Sequence, residues 1–518
     1  MDNKYVLSID CGTQSVRALI FDSVGTLIGK EKLDFIPYFS TEPGFAEQDP
    51  QVFWEGICRV CKNLKENFED IWDEILSVTV TTQRDTGINL DKNGKVLRPA
   101  IIWLDQRMAK CSKRISFKYR VMFSLVGMNK AIEVSRRKSK ANWIKENQPY
   151  IWDKTYKYLL LSGYFNYKLT GKFIDSIASQ IGHIPFNYKK KQWPQKEKDY
   201  RWETFGIEKD KLPELVEPGT ILGYINKDVS QETGIKIGIP VIASGSDKGC
   251  ETIGTGCKSL EYVNLSFGTT ATVQGMSEKY FEPLRFMPAY PACIQGYYNP
   301  EFEIFRGYWM ISWFKKEFAA KESIEAKEKG ITEEEILNKR LMEIPPGSHG
   351  LILQPYWGPG LKSPKAKGAI IGFGDIHTRI HIYRAIIEGI NYGLLDGINK
   401  IEKKSKVKVK YVMVSGGGSQ SNTICQITSD MLNRKVYKSH THETSGLGAA
   451  IVSFVALGIY PNFHEAVDNM VHYKVVFEPN KDNALIYSKL FNRVYKKVYL
   501  RLSYLYSEIQ RITNYPDI

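Results

Sequence analysis

Asp247 and Asp10 are where chemistry is first expected in this chain. Asp247 stands in "VIASGSDKGCETIGTG", among serines and glycines just after an apolar run, with Lys248 directly behind it. It is either a turn residue or a proton acceptor. Asp10 ends the apolar stretch "YVLSID" and opens the turn "CGTQ". A carboxylate there is costly to bury unless it meets a cation, directly or through water. Arg17, close by on the same hairpin, could bring positive charge to a phosphoryl group. The plainer readings are a turn cap for Asp10 and a salt bridge for Arg17. Three strand-to-glycine junctions accompany these acids: Asp10 to Thr13, Phe267 to Thr270, and Ser415 to Gly418. Such turns let the backbone approach a ligand and present N–H groups and hydroxyls to phosphate oxygens. One alone would be a hairpin turn, so the phosphate expectation rests on the three together. No GxxxxGK[ST] run occurs, which excludes a P-loop, and no GxGxxG leads into a helix with a distant acid.

The elements that must position these residues are legible from periodicity. "YVLSID", "SVRALIFD" and "TLIGKEKL" read as an antiparallel meander. A helix follows from about Pro50, with Phe53, Trp54, Ile57 and Val60 on one face, and then a strand, "ILSVTVTTQ". "EYVNLSFGTTATVQGM" repeats the plan of strand, Gly-Thr turn and strand, which suggests duplication. "VKYVMVSGGGSQSNTICQITSDML" is a β-branched strand running into glycines and a helix, with Asp430 and Asn433 at its end. "ETSGLGAAIVSFVALG" is a second helix of small residues. "ALIYSKLFNRVYKKVYLRLSYLYSEIQ" has the pattern of an amphipathic closing helix.

The 518 residues exceed the roughly 250–300 at which single cores stop growing, so two or three domains and a large cleft are expected. Composition is that of a globular protein, and no segment approaches the ~18 apolar residues of a membrane span. With no apolar leader, the cytoplasm is the expected compartment. The eight cysteines show no paired framework, so reduced thiols are expected. Cys58 and Cys61 form a CxxC inside a helical pattern and read as core. The formal charge of +14 is carried by scattered lysines, a solvated face rather than a nucleic-acid surface. His440 and His442 lack ligand spacing, so no protein-only metal site is expected.

Motifs in order complete the reading. "SIDCGTQSVRALIFD", "EPGFAEQDPQVFW", "TTQRDTGINLDKNGKVLRPAIIWLDQR", "KANWIKEN", "LSFGTTATV", "GAIIGFGDIHTRIHIYRAIIEG", "VSGGGSQSNTICQITSD" and "ETSGLGAA" resemble the successive motifs of the FGGY carbohydrate kinases, from about residue 4 to residue 475. The resemblance implies an α/β fold of two actin-like (ribonuclease H-like) ATPase domains, each a mixed sheet flanked by helices, with a cleft between them. The implied divisions are 1–246, with the sugar site and first phosphate motif; 247–478, with the nucleotide site; and 479–518, the closing helix and tail. It implies transfer of the γ-phosphoryl of ATP, accompanied by Mg²⁺, to a hydroxyl of a small sugar or polyol, with hinge closure of the domains.

The roles it implies are specific. Asp247 is the base and Asp10 holds Mg²⁺ through water. Gly12, Thr13 and Gln14 cradle phosphate, Arg17 faces the transferred group, Gly268, Thr269 and Thr270 grip ATP, and Gly416, Gly417 and Asn422 lie against the adenosine. Gln83, Arg84, Asp85, Trp103, Asp105 and Lys248 bind the acceptor, since Arg and carboxylate groups hold hydroxyls and Trp offers a flat apolar face. "QRDT" is similar to the "QRET" of glycerol kinases, whereas "LDKNGKVLRPAIIWLDQR" is similar to xylulokinases. Asp85 replaces the usual Glu, Ser135 stands where tyrosine is usual, and Lys248 follows the base in place of Gln. A lysine at the sugar would suit a carboxylated or phosphorylated acceptor, unless it points to solvent. On this reading Lys248→Gln alters substrate preference more than nucleotide affinity. The rival class is a non-catalytic actin-like ATP or sugar sensor. Asp10, Thr13, Arg17 and Asp247 speak against it, and homo-oligomerisation is left open.

Overall fold

A computed structural model describes residues 4–357 and 366–515. The opening meander forms as expected: β1 (Tyr5–Cys11), β2 (Ser15–Asp22) and β3 (Leu27–Asp34) pair antiparallel. Helix α1 (Pro50–Asn67) starts at Asp49, whose carboxylate accepts from Gln51 N, and buries Phe53, Trp54, Ile57 and Val60. Cys61 is buried on the same face and Cys58 is half-buried, where burial pushes the Cys58 thiol up to about 11. Both are core residues of a helix.

β4 (Ile75–Thr82) joins β1 in parallel, β6 (Pro240–Ile242) joins β4 in parallel, and β5 (Ile221–Tyr224) closes the edge antiparallel. The order is β5-β6-β4-β1-β2-β3. β4 is buried at nearly every residue, as expected of a parallel strand covered on both faces. The second sheet runs β9-β8-β7-β10-β11-β12, from β7 (Tyr262–Phe267), β8 (Ala271–Gly275), β9 (Glu301–Ile304), β10 (Tyr411–Ser415), β11 (Val436–Ser439) and β12 (Tyr473–Phe477). Each sheet is a three-stranded meander extended by two parallel strands and an antiparallel edge. The duplication suggested by two Gly-Thr turns is thus a duplication of topology.

Between the sheets lie α2 (Asp247–Gly254) and, from the second half of the chain, α5 (Thr444–Ala456). α5 packs Leu447, Ala450 and Ile451 with Val6, Leu19 and Phe21 of the first sheet. Its small residues are a steric requirement: a Cβ on Gly448 would sit 1.9 Å from the Cys250 carbonyl oxygen, and one on Gly254 equally close to that of Thr444. Gly448→Val is therefore expected to destabilise by about 1–3 kcal/mol through overpacking. Scanning fluorimetry would show a midpoint several degrees lower; an unchanged midpoint would overturn the contact.

The tail is helical from Lys481–Leu490 through a π-helical turn, Phe491–Tyr495, to Lys496–Thr513. The π turn, not anticipated from periodicity, sets Phe491 and Tyr495 against Tyr392 in the core of the second domain. Asp430 fastens its start, accepting from Asn480 N at 2.9 Å and Asn483 Nδ2 at 2.8 Å. No helix among the described residues is long and apolar enough to cross a membrane.

Candidate active site

Parallel strands end on the same edge of a sheet, and ligands of open α/β sheets bind off the carboxyl ends of the strands. β1 ends on Asp10 and Cys11, β4 leads into Gln83, Arg84 and Asp85, and β6 leads into Asp247. Gln83 N donates to Cys11 O at 3.0 Å, and Thr82 bridges Ser246. The first glycine junction, the sugar hairpin and the acid of "SGSDKG" therefore meet along one edge.

Asp247 is the first residue of α2, capped by Ser246, whose Oγ accepts from Gly249 N at 3.3 Å and Arg84 Nε at 3.2 Å. Burial pushes its carboxyl above the ordinary value, and the charges of Lys248 and Arg84 pull only part of the way back. The helix N-terminus and Lys248 N, 2.7 Å from Oδ1, favour the ionised form. Asp10 is buried opposite Arg17, whose Nη1 lies 3.2 Å away. Burial raises its carboxyl to about 7 although Arg17 opposes the shift. A buried carboxylate that Arg17 only partly compensates is a donor whose chemistry fits Mg²⁺. Arg17 also reaches Glu443 at 3.5 Å; it forms the ion pair of the plainer reading. Gly12 N closes the turn on Ser15 O, and Gln14 is exposed.

The sugar hairpin is more tightly fastened than its motifs suggest. The Thr13 hydroxyl donates to Gln83 Oε1 and accepts from Trp103 Nε1, both at 2.8 Å, so this member of the phosphate turn also holds the hairpin. Asp85 adopts a left-handed backbone (φ 47°) and is gripped by His183 N at 3.0 Å, His183 Nδ1 at 2.8 Å and Lys140 Nζ at 2.8 Å. Burial pushes its carboxyl up, but Lys140 and His183 outweigh this and hold it below the carboxylate range. Lys140 is the lysine of the "KANW" motif. Asp105, expected at the acceptor, has a side chain that is 1% exposed and accepts from Ala46 N at 2.6 Å and from Arg107 N and Nε. Arg107 in turn donates to Glu47 and lies 3.8 Å over Phe45 and 4.5 Å over Trp143. The "PGFAE" and "WLDQR" motifs thus lock together through a buried ion-pair cluster. Gln83 Nε2 and Arg84 Nη2 remain buried donors without partners among the described residues.

On the second sheet, parallel β7 and β10 set Ser266 beside Ser415, so the remaining glycine junctions abut. A Cβ on Gly416 (φ 76°) would lie 2.9 Å from the Phe267 carbonyl carbon, a fit that only glycine allows. Gly417 faces open space, Thr269 is exposed and Thr270 Oγ1 donates to Phe305 O at 3.3 Å. Asn422 begins α4 (Asn422–Leu432), and its Oδ1 accepts from buried Lys438 Nζ at 3.1 Å.

Lys248 departs from expectation. Its ammonium is held by Glu251 Oε2 at 2.8 Å and Ser266 Oγ at 2.6 Å, and it lies 4.0 Å from where a Cβ on Gly268 would be. It turns toward the Gly268 turn, where Glu251, 5% exposed, gains a cation from one helical turn away.

Comparison with known proteins decides the family. Residues 5–254 match the FGGY family of carbohydrate kinases, N-terminal domain, and residues 263–457 match the C-terminal domain. The chain belongs to the FGGY carbohydrate kinases. Among curated relatives, the xylulose kinase of Lactococcus lactis is 27% identical over 96% of this chain and 97% of its own. The glycerol kinase of Thermococcus gammatolerans is 29% identical over 92% of this chain and 94% of its own. The crystal structure of xylulose kinase from Rhodospirillum rubrum superposes with a TM-score of 0.82 at 22% identity, covering 97% of this chain and 100% of that one. This FGGY kinase is therefore a phosphotransferase with an alcohol acceptor that uses ATP with Mg²⁺.

Residues from the second half of the chain reach Arg84 in ways the sequence did not signal. Arg84 Nη1 meets both oxygens of Glu301 at 2.9 and 3.0 Å, and its guanidinium lies 5.0 Å over Tyr290. Glu303, half-buried beside them, has its carboxyl raised to about 7 by burial and then by the charge of Glu301. Glu443, Lys438 and His183 were likewise unforeseen; no local pattern marks them.

Proposed function

We propose that this kinase phosphorylates a small neutral acceptor, a ketopentose such as xylulose or a short polyol such as glycerol, with Asp247 as the base. The carrying observation is the position of Asp247, at a helix N-terminus beside Arg84 on the strand edge that also bears Asp10. Its carboxylate takes the proton of the acceptor hydroxyl while that oxygen bonds to the γ-phosphorus, the bond to the β-phosphate oxygen breaks, and ADP leaves. Asp10 would hold Mg²⁺, which supplies charge neutralisation at the phosphates when bound. The unpartnered donors Gln83 Nε2 and Arg84 Nη2 suit acceptor hydroxyls, because a buried donor without a partner costs about 1–3 kcal/mol. Glu301 and Glu303 beside Arg84 argue against an anionic acceptor. Trp103 would stack on acceptor C–H groups.

The test is an ADP-release screen across glycerol, tetritols, ketopentoses, ketohexoses and aldonates. Turnover is expected with a ketopentose or a short polyol and not with aldonates. Preference for an aldonate would overturn the neutral-acceptor reading, and release no higher than the ATP-only background would favour a sensor.

A further inference from the structure

Lys248 lies between the candidate base and the second phosphate junction, and its surroundings are built around it. Glu251 accepts from Lys248 Nζ through Oε2 at 2.8 Å and from Ser266 Oγ through Oε1 at 3.0 Å, while Ser266 Oγ lies 2.6 Å from the ammonium. Three groups from α2 and β7 thus close a ring of hydrogen bonds in which Glu251 and Ser266 are buried. An ammonium carries three donors, and this ring uses two. The lysine side chain is 24% exposed, and its ammonium lies 4.0 Å from where a Cβ on Gly268 would be, which leaves one donor for a ligand at that turn.

Pairing with buried Glu251 gives the lysine a structural role, and the same contacts fix where its charge sits. A lysine whose rotamers are fixed by a buried carboxylate and a buried hydroxyl is preorganised, and preorganised charge beside a site of developing charge is where catalysis gains most. Its side-chain hydrogen bonds among the described residues go to Glu251 and Ser266 and not to the hairpin of Arg84 and Asp85. Adjacency to Asp247 in the chain keeps it near the reacting oxygen.

We propose that Lys248 contacts a terminal phosphoryl oxygen of the bound nucleotide, and that Glu251 is the positioning residue that aims it. The inference rests on the kinase reading above, but its nucleotide-binding arm needs no acceptor. The expected results, for the full chain with Mg²⁺, concern Lys248→Met, Lys248→Arg and Glu251→Gln. Lys248→Met lowers kcat about 10²-fold, leaves the acceptor KM within about threefold, and weakens β,γ-imido-ATP about tenfold while sparing ADP. Lys248→Arg recovers part of both losses. Glu251→Gln lowers kcat less than Lys248→Met and shifts the same nucleotide ratio. Because Lys248→Met strands a buried carboxylate, the double variant Lys248→Met/Glu251→Gln provides a folded counterpart with the same expected nucleotide ratio.

A rise in acceptor KM with unchanged imido-ATP binding would move the lysine to the acceptor and overturn the proposal. Wild-type kinetics with only a lowered thermal midpoint would make the ring purely structural, which also overturns it. If no acceptor supports turnover, the kinase reading fails while the imido-ATP to ADP ratio still decides on Lys248.

Discussion

Asp247→Asn is expected to lower kcat about 10²- to 10⁴-fold, the usual contribution of a positioned general base, with Mg-nucleotide affinity nearly unchanged. The amide keeps the shape of the side chain and its place at the start of α2, capped by Ser246, so folding is not the variable. What it loses is the negative, basic carboxylate oxygen that takes the hydroxyl proton. The pH profile carries an independent signature. Burial raises the Asp247 carboxyl, with Lys248 and Arg84 offsetting part of the shift. A base must be ionised, so turnover is full above the raised pKa and is lost as pH falls through it. The acid limb of kcat/KM should therefore lie at higher pH than that of an ordinary carboxylate. Steady-state kinetics and isothermal titration with ADP check both halves. Near-normal turnover by Asp247→Asn would end the base assignment.

The second large effect concerns Arg84→Ala. Arg84 comes from the end of β4 in the first domain and Glu301 from β9 in the second, so their bidentate contact at 2.9 and 3.0 Å crosses the cleft. Glu301 is 3% exposed, and it also accepts from Gln274 Nε2 at 2.7 Å. Breaking a buried pair by removing one partner strands a charge and costs about 3–5 kcal/mol. Denaturant titrations of the variant against wild type read that deficit. Removing both charges, as Arg84→Met/Glu301→Met, should restore much of the stability but not acceptor binding, which isolates the functional share of the arginine. A wild-type midpoint and acceptor KM for Arg84→Ala would overturn the assignment.

Much of this molecule was legible in its sequence because the signals are local. Period-two strands, a helix led by Pro50, and turns rich in glycine each follow from a few neighbouring residues. The order of the motifs gave the family resemblance and with it the two-domain architecture. Glu251 was within reach of the same reasoning, three residues after Lys248 on a helix, but a lysine beside a candidate base drew attention to the acceptor. Asp105 shows the opposite limit: its motif was recognised, yet the Arg107, Phe45 and Glu47 cluster that consumes its carboxylate is assembled from distant segments.

Only the tertiary structure decided which strand ends meet and which charges are buried together. Arg84 finds Glu301 across 217 residues of chain, and α5 returns from the second half to lie on the first sheet. Hydrophobic periodicity dictates that a strand or helix must bury a face, but not against which partner. The energy of a buried charge depends on its neighbours in space. For that reason the elements, the glycine turns and the family resemblance follow from local sequence, while only folding commits the Asp105 carboxylate to Arg107 and Ala46 and the Lys248 ammonium to Glu251 and Ser266.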